Sequence, residues 1–112
     1  VIVSTPQDIA LIDAVKGVNM FKRVDVPILG IVENMSYYIC EKCGTRADIF
    51  GHEGARKTAG SLGVPFLGEI PLHIDIRTNA DNGTPIVVSK PDSPHTKAYL
   101  DIAAKVKAEL GL

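Results

Sequence analysis

The chain has 112 residues, thirteen acids against twelve bases for a net charge of -1, and hydrophobic and charged fractions of 46% and 22%. That balance belongs to an ordinary globular chain and excludes a disordered tract, as well as the basic field that nucleic-acid binding needs. No apolar run approaches the roughly 18 residues of a membrane helix, and no basic segment precedes an apolar one, so neither a span nor a secretory leader is expected and the cytoplasm is the expected location.

A length below about 150 residues predicts one domain or part of one. The chain opens on Val1-Ile2-Val3 without a methionine and starts inside a strand, as a piece of a longer chain would. Thr5-Pro6-Gln7-Asp8 then reads as a helix start, with Thr5 as N-cap, Pro6 at the first helical position and Asp8 favoured by the helix dipole. Leu11, Ala14, Val15, Val18 and Phe21 follow at helical spacing, which predicts a helix over residues 6 to 22 with one buried face.

Val26-Pro27-Ile28-Leu29-Gly30-Ile31-Val32 is too continuously apolar for a half-exposed strand and predicts one covered on both faces, as in parallel sheets. The pattern recurs at Val64-Pro65-Phe66-Leu67-Gly68-Glu69-Ile70. Between the two lies a predicted helix from Gly54 to Leu62, with Ala55, Ala59 and Leu62 on one face and Gly63 as its stop. Strand, helix, strand, helix, strand is the order of an α/β parallel sheet with flanking helices and right-handed crossovers. A short helix from Ile74 to Ala80, a turn at Asn82-Gly83 and an extended piece from Thr84 to Ser89 follow. Ser93-Pro94 starts the last helix, striped by Tyr99, Ile102, Ala103, Val106 and Leu110, with Gly111 past its end. Residues 34 to 54 form the one irregular stretch.

Ligands of open parallel sheets sit beyond the carboxyl ends of the strands, which directs attention to Ser4-Thr5-Pro6, Glu33-Asn34-Met35-Ser36 and Pro71-Leu72. The Asn34 amide offers an acceptor and two donors in one plane, the complement of an adenine edge, although an asparagine here equally serves to turn the chain by bonding its own backbone. Asp75 and Arg77 lie just after the third strand, where they either face a ligand or form an ion pair at the surface, which is the default.

Cys40-Glu41-Lys42-Cys43-Gly44 is the sharpest local signal, because a C-x-x-C turn sets two sulfurs at metal-ligand separation. Two thiolates are half of a four-ligand site for zinc or an iron–sulfur cluster. His52 is a candidate third ligand; His73 and His95 belong to other elements, and Tyr37 and Tyr38 either shield the site or pack. A thioredoxin-like pair fits less well, because no helix opens at the first cysteine, and two inert thiols fit a polar loop least. Gly51-His52-Glu53-Gly54-Ala55-Arg56-Lys57-Thr58 fails as a phosphate loop, since Arg56 stands where a glycine must let the backbone wrap the phosphates, and Lys57 reads as a solvated helix charge.

Taken together, Ser4-Thr5-Pro6-Gln7-Asp8, Gly30-Ile31-Val32-Glu33-Asn34-Met35-Ser36, Cys40-x-x-Cys43-Gly44, Ile49-Phe50-Gly51 and Leu67-Gly68-Glu69-Ile70-Pro71-Leu72 resemble the Mrp/ApbC family. These are P-loop ATPases, related to MinD and ParA, that bind and deliver iron–sulfur clusters. The resemblance extends through Gly83-Thr84-Pro85-Ile86-Val87 and Pro91-Asp92-Ser93-Pro94, and the family's N-terminal half with its Walker A loop has no counterpart here. It implies that residues 1–112 are the C-terminal part of a P-loop NTPase domain with a metal or cluster loop at about 35–53. It further implies that Asn34 recognises adenine, that Pro71 lines the base pocket, and that Cys40 and Cys43 hold a [4Fe-4S] cluster with the same pair of a second subunit. ATP with magnesium, a homodimer through the C-x-x-C loop and apo iron–sulfur client proteins are the implied cofactor and partners of the intact protein. Without the Walker A loop this chain alone is expected to be inactive as an ATPase. The alternative is a zinc-dependent dimerisation module whose cysteines are structural.

Overall fold

In the computed structural model, which describes residues 1–112, ten elements follow one another. They are β1 (Ile2–Ser4), α1 (Asp8–Arg23), β2 (Ile31–Glu33), β3 (Tyr38–Ile39), β4 (Arg46–Ala47), α2 (Gly54–Leu62), β5 (Phe66–Glu69), α3 (Ile74–Asp81), α4 (Ile86–Ser89) and α5 (Pro94–Glu109). β1, β2 and β5 pair in parallel with β2 in the centre, while β3 and β4 form a separate antiparallel hairpin. The expected α/β parallel sheet with flanking helices is present.

Both faces of the sheet are covered, which is why its strands carry no polar alternation. On one face Val18 of α1 and Ala55 and Ala59 of α2 enclose Ile31. On the other, Val32, Leu67 and Ile70 pack under Ile76, Tyr99, Ile102 and Val106. Ala103 and Leu110, expected in the α5 stripe, lie exposed beyond this contact. At the β1 edge the cover is missing: Val3 is 62% and Ile9 76% exposed.

The two V-P-x-L-G copies differ in use. Of the first run only Ile31 and Val32 lie in a strand, because β1 pairs no further back than Ile2 with Ile31, and Val26 instead donates its N–H to the Phe21 carbonyl at 3.0 Å. The glycines behave alike, with φ of 153° at Gly30 and 152° at Gly68. A Cβ on Gly30 would meet Leu67 Cγ at 2.6 Å, and one on Gly68 would meet Ile102 Cγ1 at 2.8 Å, so both positions need the smallest residue for close approach as well as for the backbone angle.

Three local expectations are corrected. α1 begins at Asp8, with Gln7 rather than Thr5 at the N-cap, because Pro6 is buried and its carbonyl packs on Gly54; Thr5 Oγ1 instead donates to Gln7 Oε1 at 3.0 Å. The stretch from Thr84 to Ser89 is not extended. It closes as the single turn α4, whose Ile86 carbonyl accepts from the buried Thr96 hydroxyl at 3.0 Å, while the same hydroxyl also reaches Lys90 O at 2.6 Å. The irregular stretch contains the β3–β4 hairpin, and Cys40 to Gly44 form its tip. At the start of the last helix the sequence reading holds: Ser93 accepts from the His95 N–H at 3.2 Å with Pro94 in the first turn.

Candidate metal centre and adenine pocket

The site grows from the carboxyl end of β2. Glu33 there is fully buried, and both its oxygens are used: Oε2 accepts from Ser36 Oγ at 2.7 Å and Oε1 from the Ala55 N–H at 3.1 Å. The second bond satisfies an orphan donor in the first turn of α2, whose N-cap residue Glu53 is left-handed (φ 56°) and makes no side-chain cap. One carboxylate thus ties down both ends of the excursion that carries the cysteines.

Asn34 follows directly. Its Oδ1 accepts from the Met35 N–H at 2.9 Å, where Met35 takes the left-handed backbone (φ 50°), so the turn-forming role is real. The amide nitrogen makes no hydrogen bond within the chain, and the carbonyl keeps a second lone pair, which leaves a donor and an acceptor for a ligand. Beside it a cavity of about 310 Å³ is lined by Asn34, Met35, Pro71, Leu72, His73, Ile76, Arg77 and Ala80. Asn34 and Pro71, which follow two different strands, meet on this one cavity, whose apolar walls and single amide suit a planar heterocycle. Asp75 and Arg77 do not pair with each other. Asp75 takes Lys90 at 2.6 Å, which lowers its carboxyl below the ordinary range, and Arg77 takes Asp81 at 3.1 Å.

The hairpin stands on the sheet through Tyr37 and Arg46. The Leu72 N–H donates to the Tyr37 carbonyl at 2.7 Å and the Ser36 N–H to the Ile70 carbonyl at 2.9 Å. Arg46 lies 4.2 Å from the centre of the Tyr37 ring and 3.5 Å from Glu69 of β5. At the tip the Cys40 N–H donates to the Thr45 carbonyl at 2.9 Å and the Gly44 N–H to the Cys40 carbonyl at 2.8 Å, with Gly44 left-handed at φ 73°. Both cysteines are free; Cys40 is half-buried and Cys43 exposed. Hydrogen bonding with Thr45, at its hydroxyl and its backbone, lowers the Cys43 thiol below its usual range.

His52 is not a third ligand. Its ring is held by Asp48 at 3.0 Å and Glu53 at 3.6 Å, and no three His, Cys, Asp or Glu side chains gather at metal-holding separation anywhere in the chain. Cys40 and Cys43 therefore stand at the tip with no third such side chain beside them. His73 and His95, from different elements, come together with ring centres 4.3 Å apart, and His73 Nε2 lies 2.7 Å from Glu41, the residue after Cys40. Sequence reasoning singled out the stretch that holds Glu33 but not its clamping role, and missed Glu41, His73 and Arg46 as residues that build the site. An acid ending a buried strand is a visible anomaly, whereas the other three meet only through the fold.

The family described as ParA, NUBPL iron-transfer P-loop NTPase, matches residues 1–107. The iron-sulfur cluster transfer protein NUBPL of Dictyostelium discoideum is 56% identical over 110 residues, covering 98% of this chain and 34% of that protein. The iron-sulfur cluster carrier protein of Escherichia coli K12 is 54% identical, with 98% and 30% covered. The chain thus spans about a third of the length of these relatives. Among solved structures, the cell division ATPase MinD of Pyrococcus furiosus superposes with a TM-score of 0.73 at 27% identity, over 94% of this chain and 40% of that one. A nucleotide-binding protein of Archaeoglobus fulgidus in complex with ADP gives a TM-score of 0.66 at 32% identity, over 84% and 38%. The sheet of this chain is accordingly part of a P-loop NTPase fold, and the chain belongs to the ParA/NUBPL family of iron-transfer P-loop NTPases.

Proposed function

We propose that the chain is the cluster-holding part of an ATP-binding iron–sulfur carrier, in which Cys40 and Cys43 bind a [4Fe-4S] cluster together with the same pair of a second copy. The carrying observation is the hairpin tip, where two free thiols project with no third ligand in reach, so that a complete site needs a second set. Asn34 and Pro71 supply the base side of an adenine pocket. The sequence has no G-x-x-x-x-G-K loop, so the phosphates and their magnesium would be held by residues outside it. The names of the relatives, carriers and transfer proteins of iron–sulfur clusters, support cargo delivered to apo client proteins. No helix is long and apolar enough to cross a membrane, and free cysteines suit a reducing compartment such as the cytoplasm.

Anaerobic reconstitution with iron and sulfide tests this reading. The expected product is a coloured protein with four irons per two chains, lost in Cys40→Ser and Cys43→Ser. A colourless protein that instead holds one zinc per dimer would establish the zinc-dependent dimerisation module in its place.

A further inference from the structure

We propose that His73 is a positioning residue for the cysteine pair, acting through Glu41; the inference rests on the reading that Cys40 and Cys43 hold metal or cluster. From Cys40 to Thr45 every hydrogen bond but one stays within the tip: Cys40 N–H to Thr45 O, Gly44 N–H to Cys40 O and the Cys43 thiol to Thr45 Oγ1. The exception is the contact of Glu41 Oε1 with His73 Nε2 at 2.7 Å. A two-stranded hairpin with two-residue strands is too small to hold its tip rigid by itself, and beyond the base that Tyr37 and Arg46 fasten to the sheet, this tether is the tip's one hydrogen bond to the rest of the chain.

The anchor is built for the task. His73 is the N-cap of α3, and its Nδ1 accepts from the Asp75 N–H at 3.1 Å, which requires Nδ1 to be unprotonated and places the ring proton on Nε2, facing the Glu41 carboxylate. The tautomer that caps the helix is the tautomer that donates to the loop. The His73 side chain is only 14% exposed, against 66% for Glu41, so a largely buried ring receives an exposed arm. The His95 ring tilts against it at 37° and fixes its plane. The tether also draws the carboxylate that lies between the two cysteines in sequence toward α3, and so withholds an oxygen ligand and a negative charge from the thiolates. His73 belongs as well to the wall of the Asn34 cavity, so one side chain borders the two halves of the site.

The two ring nitrogens can be separated by substitution. His73→Asn keeps an acceptor for the Asp75 N–H and loses the reach to Glu41, whereas His73→Gln keeps a donor for Glu41 and loses the cap. Two readouts apply to the reduced chain: the iodoacetamide alkylation rate of Cys40 by mass spectrometry, and the thiolate-to-cobalt absorption in a titration with Co²⁺ alone. His73→Asn and Glu41→Ala are each expected to speed alkylation of the half-buried Cys40 and to weaken Co²⁺ binding by about tenfold, the scale of one charge-assisted hydrogen bond. The double variant should be no worse than either single one. His73→Gln should match the wild type in both readouts although it melts lower. Wild-type behaviour of His73→Asn, equal defects in the Asn and Gln variants, or additive effects in the double variant would overturn the proposal. A wild-type chain with no cobalt band would instead defeat the metal-holding reading, and the alkylation rates would still decide the role of His73.

Discussion

Glu33 Oε1 and the Ala55 N–H, twenty-two residues apart in the chain, are joined by a 3.1 Å hydrogen bond inside the core. Everything that carries the cysteines lies between them. Because Ser36 Oγ donates to the other oxygen at 2.7 Å, removing the carboxylate orphans two buried donors. At about 1–3 kcal/mol for each, Glu33→Ala should lose roughly 2–6 kcal/mol in urea unfolding, and Glu33→Gln, which keeps one acceptor, clearly less. Amide exchange across residues 36–54 should rise in the Ala variant before it rises in α5. Uniform exchange changes, or equal losses for the two variants, would show that the carboxylate does not clamp the excursion.

Two glycines of α2 make opposite predictions. A Cβ at Gly54 would lie 2.7 Å from the Pro6 carbonyl oxygen and 2.8 Å from Leu11 Cδ1, so Gly54→Ala must push α2 off the loop after β1 and should cost about 1–3 kcal/mol. At Gly60 nothing lies within 4 Å, and Gly60→Ala should gain about 0.5–1 kcal/mol from reduced backbone freedom in the unfolded chain. Chemical denaturation of the two variants checks both signs.

The contrast between those glycines marks what sequence can disclose. Apolar spacing is a local property, so the buried faces of α1 and α2 and the runs leading into β2 and β5 are legible, and strand order places Asn34 and Pro71 on one pocket. The N-cap at Thr5 misleads because the deciding contact, Pro6 against Gly54, is 48 residues distant in sequence. α4 is invisible for the same reason: a single turn has no period, and its support is the Thr96 hydroxyl of another helix. The hairpin has two-residue strands held by Arg46 on Tyr37 and Glu69, so no pattern within it announces its presence.

Asn34→Ala should weaken adenine nucleotide binding by the intact protein by roughly 1–3 kcal/mol, the cost of leaving a polar partner unpaired. Cluster loading should survive, since the amide does not contact either cysteine. Binding of ADP measured by calorimetry tests the residue; an unchanged affinity would return Asn34 to its observed role of bonding the Met35 N–H.

His95 supplies a pH dependence. Burial, reinforced by the neighbouring His73 and Lys90 against the opposing pull of Asp75 and Glu41, lowers its pKa below the ordinary 6.5. The folded chain therefore binds this proton less readily than the unfolded chain. Its contribution to stability is complete above about pH 6.5 and declines as the pH falls from there through the lower folded value. Melting temperature should drop more steeply between about pH 7 and pH 5 in the wild type than in His95→Gln. Parallel curves would mean that the desolvated ring is not the group responsible.

The proposed bridging arrangement would couple metal to assembly. Under it, a tip with two soft ligands and no third beside it would be completed by a second tip across a twofold axis, and ligand binding that exists only in the dimer would add its free energy to dimerisation. Sedimentation of the reduced wild type should therefore shift toward dimer when Zn²⁺ or an assembled cluster is added. The shift should disappear in Cys40→Ser and in Cys43→Ser, since losing one sulfur per copy leaves two ligands of four. The β1 edge, with Val3 and Ile9 exposed, offers a second route to self-association that ignores metal, so the comparison is made in a Val3→Lys background, where a charge blunts the edge. One metal per monomer, with an oligomeric state indifferent both to metal and to the serine substitutions, would rule out the bridging arrangement.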